Sequence, residues 1–482
     1  MDSLLFLSAR RLVSHRPLPA VPSRLYPVLF QAAFLDGRLL VLQDLVARWP
    51  FPVLDLQLLV GRRELLRGRP SKLCVQSVIL AVVRRLRRGL EGTARDSGRC
   101  RLRVLDVTGL GDAGAAAPDG MSVWSGTVAL AKACLEVSKL QRELRKRGAG
   151  SGSGAAAAAA PPPAPVDVRA DLFVNATSYG VVWDALRAGK AGPLRLRCRE
   201  FQAEELCPAG IANLLESLDP RGLRRVELRF NNLGLEGLCS VLPHLSRFPE
   251  LRSLRLPYSN VDVRRPTPEA ARGIRRLAGE LGKLRSLQEL GLGSSRLSGN
   301  LGRVLRELQS PLESLELPFC SLLPADLSFL SRSLHARALK LLDLSGHDLS
   351  RGLFPAFRRL LEESSASLLQ LELSECRLED PGLAALLPPL RLCRRLRRLG
   401  LAGNRLSTAA LRDLLRECAG ILPELRLVVV PIPADCAEPD PGGIPDAGGI
   451  PELSRALESA GRADVVCTSN AYGHEFPDFF SV

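Results

Sequence analysis

Through the middle and C-terminal parts of the chain, leucine or valine recurs in one spaced pattern, Leu-x-x-Leu-x-Leu-x-x-(Asn/Cys/Ser). Copies begin at Leu223, Leu251, Leu287, Leu312, Leu339, Leu368 and Leu396, and a degenerate copy at Leu425, Val428 and Val430 ends the series. The starts lie 28, 36, 25, 27, 29, 28 and 29 residues apart, and a weaker copy at Leu194 and Leu196 precedes them. Within a copy the alternation puts the leucines on one face of a short strand. The small or polar side chain that follows can bond the backbone of the turn, and His347 holds that place in its copy. Beyond one strand, Leu378, Leu383, Leu386, Leu387 and Leu390 form a helical apolar stripe. A unit of this length holds one strand and one helix and cannot bury its apolar face alone, so neighbours must stack. The pattern predicts an α/β fold: a leucine-rich repeat solenoid, or horseshoe, with a curved parallel sheet, outer helices and a helical N-terminal cap. The 36-residue spacing needs an insertion, placed at 263–268.

Residues 1–95 lack the repeat and show helical periodicity, as in Leu25, Leu29 and Ala33 and in Leu39, Leu42, Leu45 and Val46. They are expected to form the cap. In 96–147, Leu102, Leu105 and Val107 predict an atypical first strand, followed by a helix. Residues 148–166 run through Gly/Ser, alanine and proline and predict a disordered loop. The repeats are expected over 167–435. Residues 436–482 begin with a Pro/Gly-rich loop and close in a cap, with a helix over 453–460 and a strand at Val465 and Val466.

Composition narrows the chemistry. Apolar residues are 46% of 482, enough for a large core, but aromatics are only 5%, so leucine must fill it. The net charge of +15 raises nucleic acid as a partner. Yet the arginines at 84–88 and 394–398 are interleaved with leucine at helical spacing, which reads as solvated helix faces. Aromatic stacking platforms for single strands are missing. Of 12 cysteines the nearest pair is Cys198 and Cys207, too far apart for a zinc or redox pair. They read as buried free thiols in a reducing compartment. Gly109, Gly111 and Gly114 fit G-x-G-x-x-G, but Ala115 to Gly120 reads as loop rather than helix, against a dinucleotide site. The five histidines assemble no catalytic set. A non-catalytic protein without cofactor is expected. No apolar run approaches the ~20 residues of a membrane span, and the N-terminus is a poor signal peptide. A cytoplasmic location follows, with Arg145, Lys146 and Arg147 as a weak nuclear signal.

Two N-terminal motifs carry more information. Val21, Pro22, Leu25 and Leu29 fit aliphatic-Pro-x-x-aliphatic-x-x-x-aliphatic. Proline opens a helix well, and Leu25 and Leu29 then share a face. Cullin-docking boxes and F-boxes begin in this way. Upstream, Ser3, Leu4, Ser8 and Leu12 fit the degenerate box that binds Elongin C, with positions 4, 8 and 12 on one face and small Ser8 allowing close approach. The competing reading is that two cap helices pack together through these residues.

Residues 25–34, together with Asp36-Gly37-Arg38 and Val46 to Phe51, resemble the hallmark of the PRAME family. So do Val123-Trp124-Ser125-Gly126, Val166 to Leu172 and Leu194 to Cys198, and the resemblance covers nearly the whole chain. It implies a horseshoe that recognises proteins and, as in several PRAME-like members, a substrate receptor of a Cullin-2/Elongin B/Elongin C ubiquitin ligase. The Elongin C contact would be Ser3, Leu4, Ser8 and Leu12, and the cullin contact Val21, Pro22, Leu25 and Leu29. The alternative is an inhibitor or scaffold that masks a signalling or transcription factor without ubiquitylation.

Residues between the inward leucines should point out of the concave sheet. The first copies place Arg225, Arg229, Phe230, Arg255 and Tyr258 there. The central ones place Glu313, Glu316, Phe319, Asp343, Glu372 and Glu375, and the last full copy returns to Arg397 and Arg398. The face is therefore expected to run basic, acidic, basic, with the aromatics as anchors. An acidic centre repels phosphates, which favours a target protein over nucleic acid.

Overall fold

The computed structural model describes residues 3–60, 71–91, 100–109, 121–150, 164–350, 352–436 and 450–469. They fall into two compact units, Met1–Leu206 with Gly210–Arg224, and Cys207–Ala209 with Arg225–Val482.

The first unit opens with three helices, α1 (Leu4–Val13), α2 (Tyr26–Leu35) and α3 (Leu39–Ala47). Four parallel strands follow, β1 (Val53–Asp55), β2 (Val104–Asp106), β3 (Val166–Val174) and β4 (Leu194–Glu204), paired in chain order. Helices Lys72–Leu90, Val123–Gly150 and Tyr179–Gly189 lie between them in sequence. Trp49, 1% exposed, ties the helices to the sheet. Its ring meets Phe30 edge-on at 5.7 Å, and its indole N–H donates to the Val53 carbonyl oxygen at 3.0 Å.

The sheet begins earlier than the repeat pattern predicts. Its first strand is β1 at 53–55, inside the stretch expected to be all helical, and the segment around Leu105 is the second. Both strands read Val-Leu-Asp and pair residue for residue. Each has a single inward leucine, so neither shows the Leu-x-Leu signature. The helix expected to end at 147 runs to Gly150, and β3 already begins at Val166. Most of the Gly/Ala/Pro run, 151–163, lies outside the described residues, as do 437–449 and most of the G-x-G-x-x-G motif.

The second unit is the repeat array. Its strands are β5 (Arg225–Arg229), β6 (Ser253–Arg255), β7 (Glu289–Gly291), β8 (Ser314–Glu316), β9 (Leu341–Asp343), β10 (Gln370–Glu372), β11 (Arg398–Gly400), β12 (Leu427–Val429) and β13 (Val466–Thr468). From β5 to β13 each is parallel to the next. One inward row runs through Leu254, Leu290, Leu315, Leu342, Leu371 and Leu399, none more than 1% exposed. Helices such as Asp380–Leu390 bury Leu383, Leu386 and Leu390.

The turn position works as the sequence reading expects. The Asn404 side chain accepts from the Cys376 and Leu378 amides at 3.0 Å and donates to the carbonyls of Leu373 and Leu401. His347 Nδ1 lies 2.8 Å from the Leu344 carbonyl, and the Cys320 and Cys376 thiols donate to carbonyls of the preceding repeat. Buried Asn404, Cys320 and Cys376 thus stitch their turns to the preceding repeat, which pairs backbone groups that burial would otherwise leave unsatisfied. The long spacing is absorbed by a loop at 263–267 and a 15-residue helix, Pro268–Gly282, capped by Thr267.

Candidate protein-binding face

Opposite the leucines, the second unit presents rows of side chains whose neighbours follow from the strand register. The main row is Glu227, Arg255, Gly291, Glu316, Asp343, Glu372 and Gly400. Beside it runs Arg225, Ser253, Glu289, Ser314, Leu341, Gln370 and Arg398.

The basic end expected at the first copies is not free charge. Arg255 Nη2 lies 2.8 Å from Glu316, Arg229 lies 2.5 Å from Glu227, and Arg225 and Arg255 reach to 3.6 and 3.9 Å of Glu289. Arg398 is bound to Glu372 at 2.5 Å, Lys340 to Glu313 at 2.8 Å and Arg397 to Glu424 at 2.8 Å. Pairing of opposite signs within and across strands, invisible when each copy is read by itself, turns separate basic and acidic blocks into ion pairs. Burial raises the carboxyls of Glu316 and Asp343 above their ordinary values. It pushes Glu372 up to about 7, against the pull of Arg398.

Two outward glycines, not anticipated from the pattern, shape this surface. Gly400 leaves room for the Glu372 carboxylate, which would overlap any Cβ there. Gly346, with φ +74°, does the same for the ring of Phe319. A small residue at an outward position next to a long side chain in the preceding copy was the available signal.

At the ends of β5 to β11 one residue adopts left-handed backbone. In two copies it is glycine, Gly346 and Gly403, but elsewhere it is Phe230 (φ 55°), Tyr258 (57°), Ser294 (62°), Phe319 (56°) and Glu375 (55°). Such a conformation costs a bulky residue about 1 kcal/mol or more that glycine avoids. The three aromatics are nonetheless 45–49% exposed, and Phe230 and Tyr258 stack at 4.4 Å with planes 17° apart. Apolar rings held at this energetic disadvantage, and half in water, suit an interface rather than a core.

Gly346→Ala should therefore destabilise the protein by about 2 kcal/mol, part from the backbone and part from the displaced ring. In urea unfolding, the cost should shrink when Phe319→Ala is combined with it. Equal costs in the two backgrounds would show that the ring does not lie over residue 346.

The N-terminal motifs lie in the first unit. Ser3 caps α1, accepting from the Phe6 amide at 3.2 Å, and Ser8 Oγ donates to the Leu4 carbonyl at 2.8 Å. Leu4 is 80% exposed, with Leu7 and Ser8 also in solvent, while Ala9 and Val13 are buried and Leu12 is half-buried. The second motif is placed differently from expectation. Pro22 is exposed and precedes only a short turn, Ser23–Leu25, and α2 begins at Tyr26 with Pro27 in its first turn. Val21 and Leu25 are half-buried, and Leu29 is 2% exposed among the core residues of α2. Leu29 is therefore a core residue and not a surface contact. The helix buries Leu29, Phe30, Ala32, Ala33 and Phe34, so it is apolar nearly all round. A Leu-x-x-x-Leu spacing does not distinguish a docking anchor from a core side chain on such a helix.

The PRAME N-terminal domain matches residues 6–108, and the PRAME C-terminal domain matches 178–443. This chain belongs to the PRAME family. Leucine-rich repeat-containing protein 14 of Xenopus laevis is 46% identical to it over the full length of both chains, and that of Homo sapiens is 44% identical, also over both full lengths. PRAME family member 12 of Homo sapiens is 30% identical over 87% of this chain and 80% of its own. Among solved structures, the leucine-rich repeat-containing protein LegL7 from Legionella pneumophila is 18% identical, over 63% of this chain and 93% of that one, with a TM-score of 0.38. The protein is thus a PRAME-family leucine-rich repeat protein of the protein-interaction type, a type that is typically not enzymatic. No helix among the described residues is long and apolar enough to cross a membrane.

Proposed function

We propose that this protein is a non-catalytic, cytoplasmic adaptor, the substrate receptor of a Cullin-2/Elongin B/Elongin C ubiquitin ligase. The open face of the repeat sheet would take the target protein and α1 would take Elongin C. The observation that carries the target-binding half is the exposed aromatic set Phe230, Tyr258 and Phe319, held in left-handed backbone along the edge of a paired-charge sheet. The ligase half is supported by Leu4, which projects from a capped helix at 80% exposure beside the small Ser8. Pro22 remains on the surface for a cullin contact, which Leu29 could join only by leaving the core.

Co-purification from cells tests this. Elongin B, Elongin C and Cullin-2 should come down with the wild-type chain and be lost with Leu4→Ala. Pro22→Ala should reduce Cullin-2 while Elongins remain. Because Leu4 is in solvent, its replacement should leave the melting temperature unchanged. Recovery of Skp1 in place of Elongin would indicate an F-box-type adaptor. Recovery of neither would leave a masking inhibitor or scaffold that needs only the sheet face.

A further inference from the structure

We infer that the row Glu316–Asp343–Glu372, with Phe319 at its edge, receives a segment of the partner protein that carries a lysine or arginine next to an apolar side chain. This rests on the reading of the sheet face as the target-binding surface and states what that surface selects.

The register places the three carboxylates on adjacent strands, β8, β9 and β10, roughly 4.8 Å apart from strand to strand. One ammonium or guanidinium can bridge two of them. The outer two already have cations, Arg255 on Glu316 at 2.8 Å and Arg398 on Glu372 at 2.5 Å. The middle one does not: among the described residues Asp343 forms no ion pair, its Oδ1 accepts the Ser345 amide at 2.8 Å, and the Ser345 hydroxyl also bonds its carboxyl. It is an acid between two acids. Burial raises all three carboxyls above their ordinary values, and the charge of Asp343 adds to the rise of Glu316 and Glu372.

A second observation comes from the neighbouring row. Glu289, 5% exposed, has an Oε2 that makes no hydrogen bond and only the longer ion contacts to Arg225 at 3.6 Å and Arg255 at 3.9 Å, and the buried hydroxyls of Ser253 and Ser314 on either side of it make no hydrogen bond among the described residues. These are buried groups with hydrogen-bonding capacity left over, beside the row in which Asp343 has no ion-pair partner among the described residues. A group with several donors and no acceptor, as in lysine or arginine, matches that inventory. Phe319 supplies the apolar part: its half-exposed ring lies over Gly346, three residues beyond Asp343 on the adjoining repeat. The chain as a whole carries +15 and repels cations at long range, so a cationic segment must be drawn in by this local row.

Fluorescence anisotropy with the full chain tests the inference. The probes are labelled 12-residue peptides that alternate leucine with arginine, with citrulline, which is neutral and nearly isosteric, or with glutamate. At pH 8 the arginine peptide should bind at least tenfold tighter than the citrulline peptide. Asp343→Asn combined with Glu372→Gln should remove that preference, and Phe319→Ala should weaken both peptides alike. The arginine peptide should also bind more weakly at pH 6 than at pH 8, as Glu372, faced by Asp343 and Glu316 on one side and Arg398 on the other, takes up a proton. Equal affinity for arginine and citrulline peptides, or a preference that survives the double substitution, overturns the inference. If the citrulline peptide binds as well and Phe319→Ala releases it, the face is a binding surface without charge selection. If no peptide binds, or none responds to either set of substitutions, the target-binding reading of the face falls with it.

Discussion

Leu344→Asp should destabilise the second unit by about 4 kcal/mol or more, the largest effect expected of a single replacement in the array. Leu344 is 1% exposed, and its amide donates to the Glu372 carbonyl at 3.0 Å. Its own carbonyl accepts from the Cys376 thiol at 3.3 Å and lies against His347. Removing a buried leucine forfeits roughly 1.5–3 kcal/mol, and placing a carboxylate there without a partner costs about 2 kcal/mol or more again. In a stacked repeat each unit is stabilised chiefly by its neighbours, so the loss should spread along the array. Hydrogen exchange should show amides of β8, β9 and β10 losing protection together, and urea unfolding should shift to much lower concentration. An unchanged melting curve would be incompatible with the solenoid.

The second large effect is a pH dependence that wild-type protein conceals. Glu372 titrates near pH 7 in the fold because burial disfavours its charge, whereas in the unfolded chain it ionises near its ordinary value of 4.5. As pH rises from 4.5 to 7 the unfolded state releases this proton and the folded state does not, so stability falls, by about 1.4 kcal/mol per pH unit and of the order of 3 kcal/mol in all. His335 acts in the opposite sense. It is 1% exposed, accepts the Leu312 amide through Nδ1 at 3.1 Å, and burial pushes it down to about 4 from 6.5. Stability supplied by the neutral imidazole is complete above pH 6.5 and is lost as pH falls towards 4. Over pH 4.5–6.5 the two slopes oppose each other. Glu372→Gln keeps an acceptor for Arg398 but removes one slope. The variant should match wild type at pH 4.5, exceed it by about 3 kcal/mol at pH 8, and gain stability steeply between pH 4 and 6.5. Urea midpoints across this range provide the measurement, and equal stability at pH 8 would place an unperturbed carboxyl at Glu372.

The array was legible because a repeat reports the same environment many times. The inward leucines, the helical stripe at Leu383, Leu386 and Leu390, and the bonding role of Asn404 and His347 each follow from spacing and side-chain chemistry. β1 was hidden because a three-residue strand with one inward leucine carries no periodicity. The N-terminal motifs were only half legible. Leu4 and Leu29 look alike in sequence, yet one stands in solvent and the other in the core. What separates them is that α1 packs on one side only, whereas α2 is covered almost all round.

Sequence by itself determined the class of fold, the repeat register, the identity of the outward residues and the family. Tertiary structure alone decided which outward charges are free. Arg225, Arg255 and Arg398 read as cations along the chain, but strand pairing sets Arg255 and Arg398 against carboxylates and draws Arg225 towards Glu289. Only Asp343 in the main row is left without an ion-pair partner among the described residues. The physical reason is range. Inward burial repeats within each copy and can be read locally. The balance of charge on the open face depends on residues one or two repeats apart, from Arg398 and Glu372 to Arg225 and Glu289, that meet only when parallel strands align.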